Sequence, residues 1–245
     1  RLLDLVLTTQ EHITGKIYDR DAHHAVAAKV AEKSAVLLKN EEKILPLNKQ
    51  QRIAVIGDFA KEPRYQGAGS SNINPTQLDD AFDALLRKGY KLNFAPGYNK
   101  KKDVINEIML KDACIVAERA ESVLLFIGLT EEYESEGYDR THLNLPSSHV
   151  KLLEEILKVN ENVAVVLYGG SPVVIPYLDK IKGLVNGYLG GQAGGSALAE
   201  ILSGDFNPCG KLAETYPLSL EDTPCFRIYP SLGATSEHRE SIFIG

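Results

Sequence analysis

The stretch Ser122-Val123-Leu124-Leu125-Phe126-Ile127-Gly128 places five apolar side chains in a row between two small residues. A short, continuous apolar run with branched and aromatic side chains is typical of a β-strand that is covered on both faces. The stretches 52–57 and 162–168 have the same character, and shorter strands are predicted at 91–95 and 183–189. Buried strands of this kind belong to parallel sheets rather than to sheets with one face in water.

Helical periodicity fills the intervals around these strands. Helices are predicted at 22–39, 77–87, 104–120, 148–158 and 191–202. Asp19 or Asp21 is a candidate N-cap of the first helix, and Ser147 is a candidate N-cap of the helix at 148–158. Alternation of strands and helices predicts an α/β fold: a three-layer sandwich with a mostly parallel sheet and helices on both faces.

Composition excludes several classes of partner. The 245 residues carry a formal net charge of −6 and no Lys/Arg-rich run, which argues against a nucleic acid or an anionic membrane surface. No apolar run approaches the roughly 20 residues that a membrane span requires. The three cysteines lack CxxC spacing, so neither a disulfide framework nor a zinc site is predicted, and a reducing compartment such as the cytoplasm is favoured.

An acidic loop follows the strand at 122–128. Four glutamates fall within residues 131–136, beside Tyr133, Tyr138, Asp139 and Arg140. Crowded carboxylates are expected to raise one another's pKa, and a carboxyl group that stays protonated near neutral pH can act as a general acid. Tyrosine faces suit sugar rings. The alternative is a solvated acidic loop in which Arg140 neutralises Asp139.

Two glycine-containing loops follow other strands. The first, residues 65–72, combines glycines that allow close backbone approach with serine and asparagine donors. A dinucleotide-binding fingerprint is disfavoured here, because Gly57 stands alone after the strand and residues 67–69 come ten positions later without a third glycine. A plain flexible turn remains the alternative.

The second loop, Gly169-Gly170-Ser171-Pro172-Val173, nearly matches a Gly-x-Ser-x-Gly nucleophile elbow. Val173 stands where the last glycine belongs, and Pro172 removes an N–H group that an oxyanion hole would use. Ser171 is therefore predicted to be a turn or cap residue. The six histidines show no metal-ligand spacing, and no metal site is predicted.

Several segments together resemble the second domain of glycoside hydrolase family 3. The order and spacing of these segments carry the resemblance, which covers residues 25 to 217. They are 35–40, 44–47, 53–57, Gly67-Ala68-Gly69-Ser70-Ser71, Glu136-Gly137-Tyr138-Asp139-Arg140, 143–146, 190–195 and 207–212.

The resemblance implies a six-stranded α/β sandwich that packs against a (β/α)8 barrel. The barrel would supply an aspartate nucleophile and the sandwich a glutamate as general acid/base. Glu136 matches that position best and Glu134 is the runner-up. Gly69 and Ser70 match residues near the sugar site, and Tyr133 is added as a sugar contact on its aromatic character alone. No cofactor and no metal are implied.

The expected organisation is a linker at 1–20, the sandwich at 21–216 and an extended tail at 217–245. Both ends are expected to be cuts within a longer protein, because Arg1 opens the chain without a signal-like segment and the apolar run 241–245 closes it. The expected parent is a retaining β-glucosidase, and the chain alone is expected to be inactive because it lacks the barrel. The alternative is a non-catalytic sugar-binding or scaffolding module, which should lack the exposed apolar surface of an excised domain.

Overall fold

The computed structural model describes residues 1–226, except Thr14, Lys16, Tyr138 and Cys225. Most of the expected tail therefore lies outside the described residues. Within them, six strands form one sheet: β1 (Val36–Asn40), β2 (Arg52–Ile56), β3 (Lys91–Ala95), β4 (Ser122–Gly128), β5 (Val163–Tyr168) and β6 (Gly183–Asn186).

The sheet has the strand order β1-β6-β5-β4-β2-β3. The strand pairs β3–β2, β2–β4, β4–β5 and β5–β6 are parallel, and β1 runs antiparallel to β6 at one edge of the sheet. Every residue of the central strands β4 and β5 is buried, as their continuous apolar sequences predict. The predicted mostly parallel six-stranded sheet is confirmed.

Helices cover both faces of the sheet, which confirms the three-layer sandwich. Helices α2 (Arg20–Ser34) and α3 (Ala81–Arg87) both pack against α6 (Gly194–Ser203), and α4 (Glu107–Glu118) packs against α5 (Ser147–Val159). None of the helices within the described residues is long and apolar enough to cross a membrane. Helix α1 spans Leu2–Glu11.

The predicted helix at 22–39 is wrong in its second part. Helix α2 ends at Ser34, Ala35 is extended, and residues 36–40 form β1. The alanine- and lysine-rich sequence suits a helix locally, but pairing with β6 and burial of Val36 against the core stabilise the strand. The predicted N-cap is confirmed at Asp19, whose side chain accepts from the backbone of Ala22.

Other helix ends move by a few residues because side chains cap them. Asp80 caps α3 and Asn106 caps α4, so both helices begin later than predicted. Ser147 is the first residue of α5 and not its cap. The capping acceptor is Asp103, in the loop after β3, which receives the N–H groups of Ser147 and Ser148 at 2.8 and 2.7 Å.

His149 of α5 is fully buried. Its Nδ1 accepts a hydrogen bond from the backbone N–H of Gly128 at 3.2 Å, and its ring lies 3.8 Å from that of Tyr98. Burial lowers the pKa of His149 to about 3. The fold therefore holds this histidine in its neutral form, with Nδ1 as the acceptor.

This burial predicts a pH-dependent stability. The unfolded chain protonates His149 near its ordinary pKa of about 6.5, so stability falls as pH drops below that value. Between about pH 7.5 and 5 the loss through His149 is about 2 kcal/mol. Urea unfolding at several pH values measures it. His149→Gln should flatten this slope, and His12→Gln, at an exposed position, should not. An unchanged slope in His149→Gln would contradict the prediction.

Candidate active site

The loops that follow the parallel strands meet at one edge of the sheet. Arg64, in the loop after β2, donates to the carbonyl of Leu129 after β4 at 2.8 Å. The N–H of Gly191, after β6, donates to the carbonyl of Tyr65 at 2.9 Å. This is the edge where open parallel sheets bind ligands.

Glu136 lies exposed at this edge, on the loop after β4. Its Oε2 accepts a hydrogen bond from the backbone N–H of Ser70 at 2.7 Å. Hydrogen bonds from the Ser70 side chain and backbone lower the pKa of Glu136. The Gly/Ser loop and the acidic loop, distant in sequence, are thus brought together at this carboxylate.

Gly69 makes this contact possible. Its φ of +83° is a conformation that side chains disfavour, and a Cβ there would lie 2.8 Å from Cβ of Glu136 and 2.9 Å from its Oε2. The glycine therefore supports the Glu136 side chain directly. Residues 69–71 form a short 3-10 turn that presents the Ser70 N–H group.

The expectation that crowded glutamates raise the pKa of the acid is wrong for Glu136. The glutamates of this loop are close in sequence, but their carboxylates bind different partners. Glu132 accepts from the backbone N–H of Asp103 at 3.1 Å, and Glu134 lies against Arg64. The hydrogen bonds from Ser70, rather than other carboxylates, set the direction of the shift at Glu136.

Glu134 is held by partners from two other loops. Arg64, whose side chain is 5% exposed, donates to Oε2 at 2.7 Å and to the Glu134 carbonyl at 2.7 Å. The N–H of Gly170 donates to Oε2 at 3.0 Å, and the hydroxyl of Ser171 donates to Oε1 at 2.5 Å. This carboxylate links the loops after β2, β4 and β5.

Tyr133 also anchors the acidic loop. Its hydroxyl donates to Oδ2 of Asp103 at 2.5 Å. Burial, reinforced by the hydrogen bond to the Asp103 carboxylate, raises the pKa of Tyr133 to about 12. Burial opposes ionisation of Asp103, but the hydrogen bonds from Tyr133 and from Ser147 and Ser148 hold its pKa well below the usual range. The sugar-contact role expected for Tyr133 remains a prediction.

Arg140 has partners in the loop after β5, in addition to the sequence neighbour Asp139 that was considered as its partner above. It donates through Nη2 to the hydroxyl of Ser171 and to the carbonyl of Pro172, both at 2.9 Å. Ser171 lies in a bend after β5, which agrees with the predicted turn. Tyr138 of the Glu-Gly-Tyr motif lies outside the described residues.

Arg64 and Asp103 were missed by the sequence analysis. Arg64 belongs to no recognisable motif, and Asp103 precedes the predicted helix at 104–120 although it caps α5 instead. Only the three-dimensional arrangement joins them to the acidic loop.

A cleft of about 780 Å³ opens beside this loop. Its lining includes the buried Phe59 together with charged side chains and side-chain amides. Polar or backbone groups on the walls come from Gln66, Gly69, Asn72, Lys101, Glu132 and Ser135.

Residues 35–244 match the model of the glycosyl hydrolase family 3 C-terminal domain. The chain belongs to this family. Its relatives include the thermostable β-glucosidase B of Acetivibrio thermocellus, which is 46% identical over 93% of the chain and 31% of the relative. An exo-α-(1→6)-L-arabinopyranosidase of Bifidobacterium longum is 40% identical over the whole chain and 34% of the relative.

A solved family 3 structure gives the same picture. The β-glucosidase of Bifidobacterium adolescentis superposes with a TM-score of 0.89 at 42% identity, covering 94% of this chain and 34% of that one. The chain spans about a third of the length of the relatives it matches.

Gly69→Ala tests the contact between the two loops of this family 3 domain. The added methyl group should separate the Ser70 N–H from Glu136, so the pKa of Glu136 should rise toward its ordinary value. Titration of the Glu136 carboxyl carbon by NMR measures the shift. Gly89→Ala is the control, because Gly89 also has a positive φ but open space around it, and should leave the titration unchanged. An unmoved Glu136 titration in Gly69→Ala would contradict the assignment.

Proposed function

We propose that this domain is part of a retaining β-glucosidase that hydrolyses terminal β-D-glucosyl residues, with Glu136 as its general acid/base. The observation that carries the residue assignment is the contrast between two carboxylates. Glu136 is exposed at the ligand-binding edge and is held there by Ser70, whereas Glu134 is occupied by Arg64, Gly170 and Ser171. Proton transfer requires a carboxyl group that can reach the substrate.

The reaction requires two carboxyl groups about 5–5.5 Å apart across the scissile bond. Glu136 first protonates the leaving oxygen and then activates the water that releases the glycosyl-enzyme. The nucleophile comes from an N-terminal domain of the same polypeptide. The threefold greater length of the relatives supports such a domain.

The low pKa of Glu136 in this domain suits the second half of that cycle. Ser70 stabilises the carboxylate form, which is the form that accepts a proton from water. A second carboxylate within about 5 Å and the exclusion of water both raise a carboxyl pKa, so assembly with substrate favours the protonated form that the first half requires.

Helix α1 supports the proposal of a domain from a longer enzyme over that of a stand-alone sugar-binding module. None of its residues is buried, and its apolar side chains are 49–78% exposed. An apolar surface of this kind fits a domain that packs against more protein. The exposed side chains are Leu2, Leu3, Leu5, Val6 and Leu7.

The names of the relatives support a glycoside as the substrate and differ in the sugar. The β-glucosidases match at 46% and 42% identity and the arabinopyranosidase at 40%. Glucose is proposed on the first two. A panel of aryl glycosides assayed on the full-length protein tests it, and a higher kcat/KM for an α-L-arabinopyranoside than for a β-glucoside would replace the sugar but keep the reaction.

Glu136→Ala in the full-length protein tests the acid/base assignment. Activity on an aryl β-glucoside with a poor leaving group should fall about 10²–10⁴-fold. On a dinitrophenyl β-glucoside the glycosyl-enzyme should still form, and azide should restore its turnover because azide attacks without a general base. Glu134→Ala is the matched comparison and should not respond to azide. Azide rescue of Glu134→Ala instead would transfer the role to Glu134, and loss in neither variant would refute catalysis by this loop.

The isolated domain should have no measurable turnover, because one carboxyl group cannot carry out both steps of the retaining reaction. The purified 245-residue chain is incubated with a dinitrophenyl β-glucoside at high enzyme concentration. The expected result is a rate equal to the buffer blank. A rate above the blank that disappears in Glu136→Ala would show that the chain alone is catalytic.

A further inference from the structure

Ser171 joins the two ends of the segment that carries Glu136. Its hydroxyl donates to Oε1 of Glu134 at 2.5 Å and accepts from Nη2 of Arg140 at 2.9 Å. A serine hydroxyl has one proton to donate and lone pairs to accept, so both contacts can form at once. Oγ of Ser171 therefore bonds the first and the last residue of the seven-residue segment 134–140, which we call the closed segment. Glu136 belongs to this segment.

The base of this closure lies next to a buried strand. Ser171 comes three positions after the last residue of β5, a strand buried along its whole length. Beyond it, the N–H of Val174 donates to the carbonyl of Leu143 at 2.8 Å, so the same loop also holds the chain that follows the closed segment. The N–H of Gly170 adds a hydrogen bond to Glu134 at 3.0 Å.

The sequence around Ser171 nearly matches a nucleophile elbow, but its hydroxyl has a different use. The proton that a nucleophile would give to a base is donated to the Glu134 carboxylate, and that carboxylate is already paired with Arg64. The contacts of the hydroxyl thus fit the role of holding a loop and do not fit attack on a substrate.

We propose that Ser171 is a positioning residue for the general acid/base, which fixes the 134–140 segment so that Glu136 meets the leaving oxygen. The proposal rests on the function proposed above for Glu136. Proton transfer depends steeply on placement, because a misplacement of about 1 Å can cost about 10²-fold in rate. A hydroxyl that bonds both ends of the segment limits how far the Glu136 carboxyl can move from its place.

The test uses the full-length enzyme with Ser171→Ala, which removes the hydroxyl and both contacts but leaves the Arg64–Glu134 pair in place. Ser171→Thr retains a hydroxyl. Ser122→Ala is the control, because it removes a buried serine hydroxyl that has no partner among the described residues. Each variant is assayed with an aryl β-glucoside that needs protonation of its leaving group and with a dinitrophenyl β-glucoside that does not.

Ser171→Ala should lower kcat on the poor leaving group by about 10-fold or more and keep KM, because binding is intact and proton donation is misplaced. The dinitrophenyl substrate should lose less than about 2-fold in its glycosylation rate. Ser171→Thr should regain most of the loss, and Ser122→Ala should match the wild type on both substrates. Wild-type kinetics in Ser171→Ala, or an equal loss on both substrates, would overturn the proposal.

Hydrogen exchange of the peptide covering 134–142 gives a readout that does not depend on catalysis. Faster exchange in Ser171→Ala than in Ser122→Ala is expected, since one closure of the loop is lost. Unchanged exchange would show that Ser171 does not hold the 134–140 segment. Faster exchange together with full activity of Glu136→Ala would show that Ser171 holds the segment but that the segment is not catalytic. That result would refute both the proposed function and the positioning role.

Discussion

The partly buried ion pair between Arg64 and Glu134, whose side chains are 5% and 20% exposed, is the interaction on which the candidate active site depends. Removing two charges from water costs several kcal/mol for each ion, and their attraction offsets that cost only when further hydrogen bonds satisfy them. The terminal nitrogens of the guanidinium also bind the carbonyls of Leu129 and Glu134, and the carboxylate also accepts from Ser171, while Nε of Arg64 has no partner among the described residues. One pair thereby sets the path of the acidic loop between the Gly/Ser loop and the loop after β5.

The central strands could be predicted from the sequence because each of them is a continuous apolar run. A strand covered on both faces must be apolar throughout, and residues 122–128 satisfy that condition without help from distant residues. The strand at 36–40 could not be predicted in this way. Its side chains suit a helix equally well, and the decision comes from pairing with β6, about 145 positions away in the chain.

The candidate site divides in the same manner. The position of the acidic loop directly after β4 could be predicted, since the segment follows a recognisable strand, whereas the role of Glu136 stays a prediction from the family motif. The direction of the Glu136 pKa could not be predicted, because residues crowded along a loop can point apart once partners such as Ser70 and Arg64 are available. Those partners come from about 70 positions upstream, and no local pattern marks them.

The hydrogen bond between Tyr133 and Asp103 affects how the acidic loop responds to a change of pH. The phenol loses its proton only near pH 12, and the carboxylate gains one only in strong acid, so neither partner titrates in between. The anchor at the start of the acidic loop therefore stays intact across the whole range in which a glycosidase is assayed. For the glycosidase proposed above, a bell-shaped activity profile would then report the protonation of the reacting groups, with no contribution from release of this anchor.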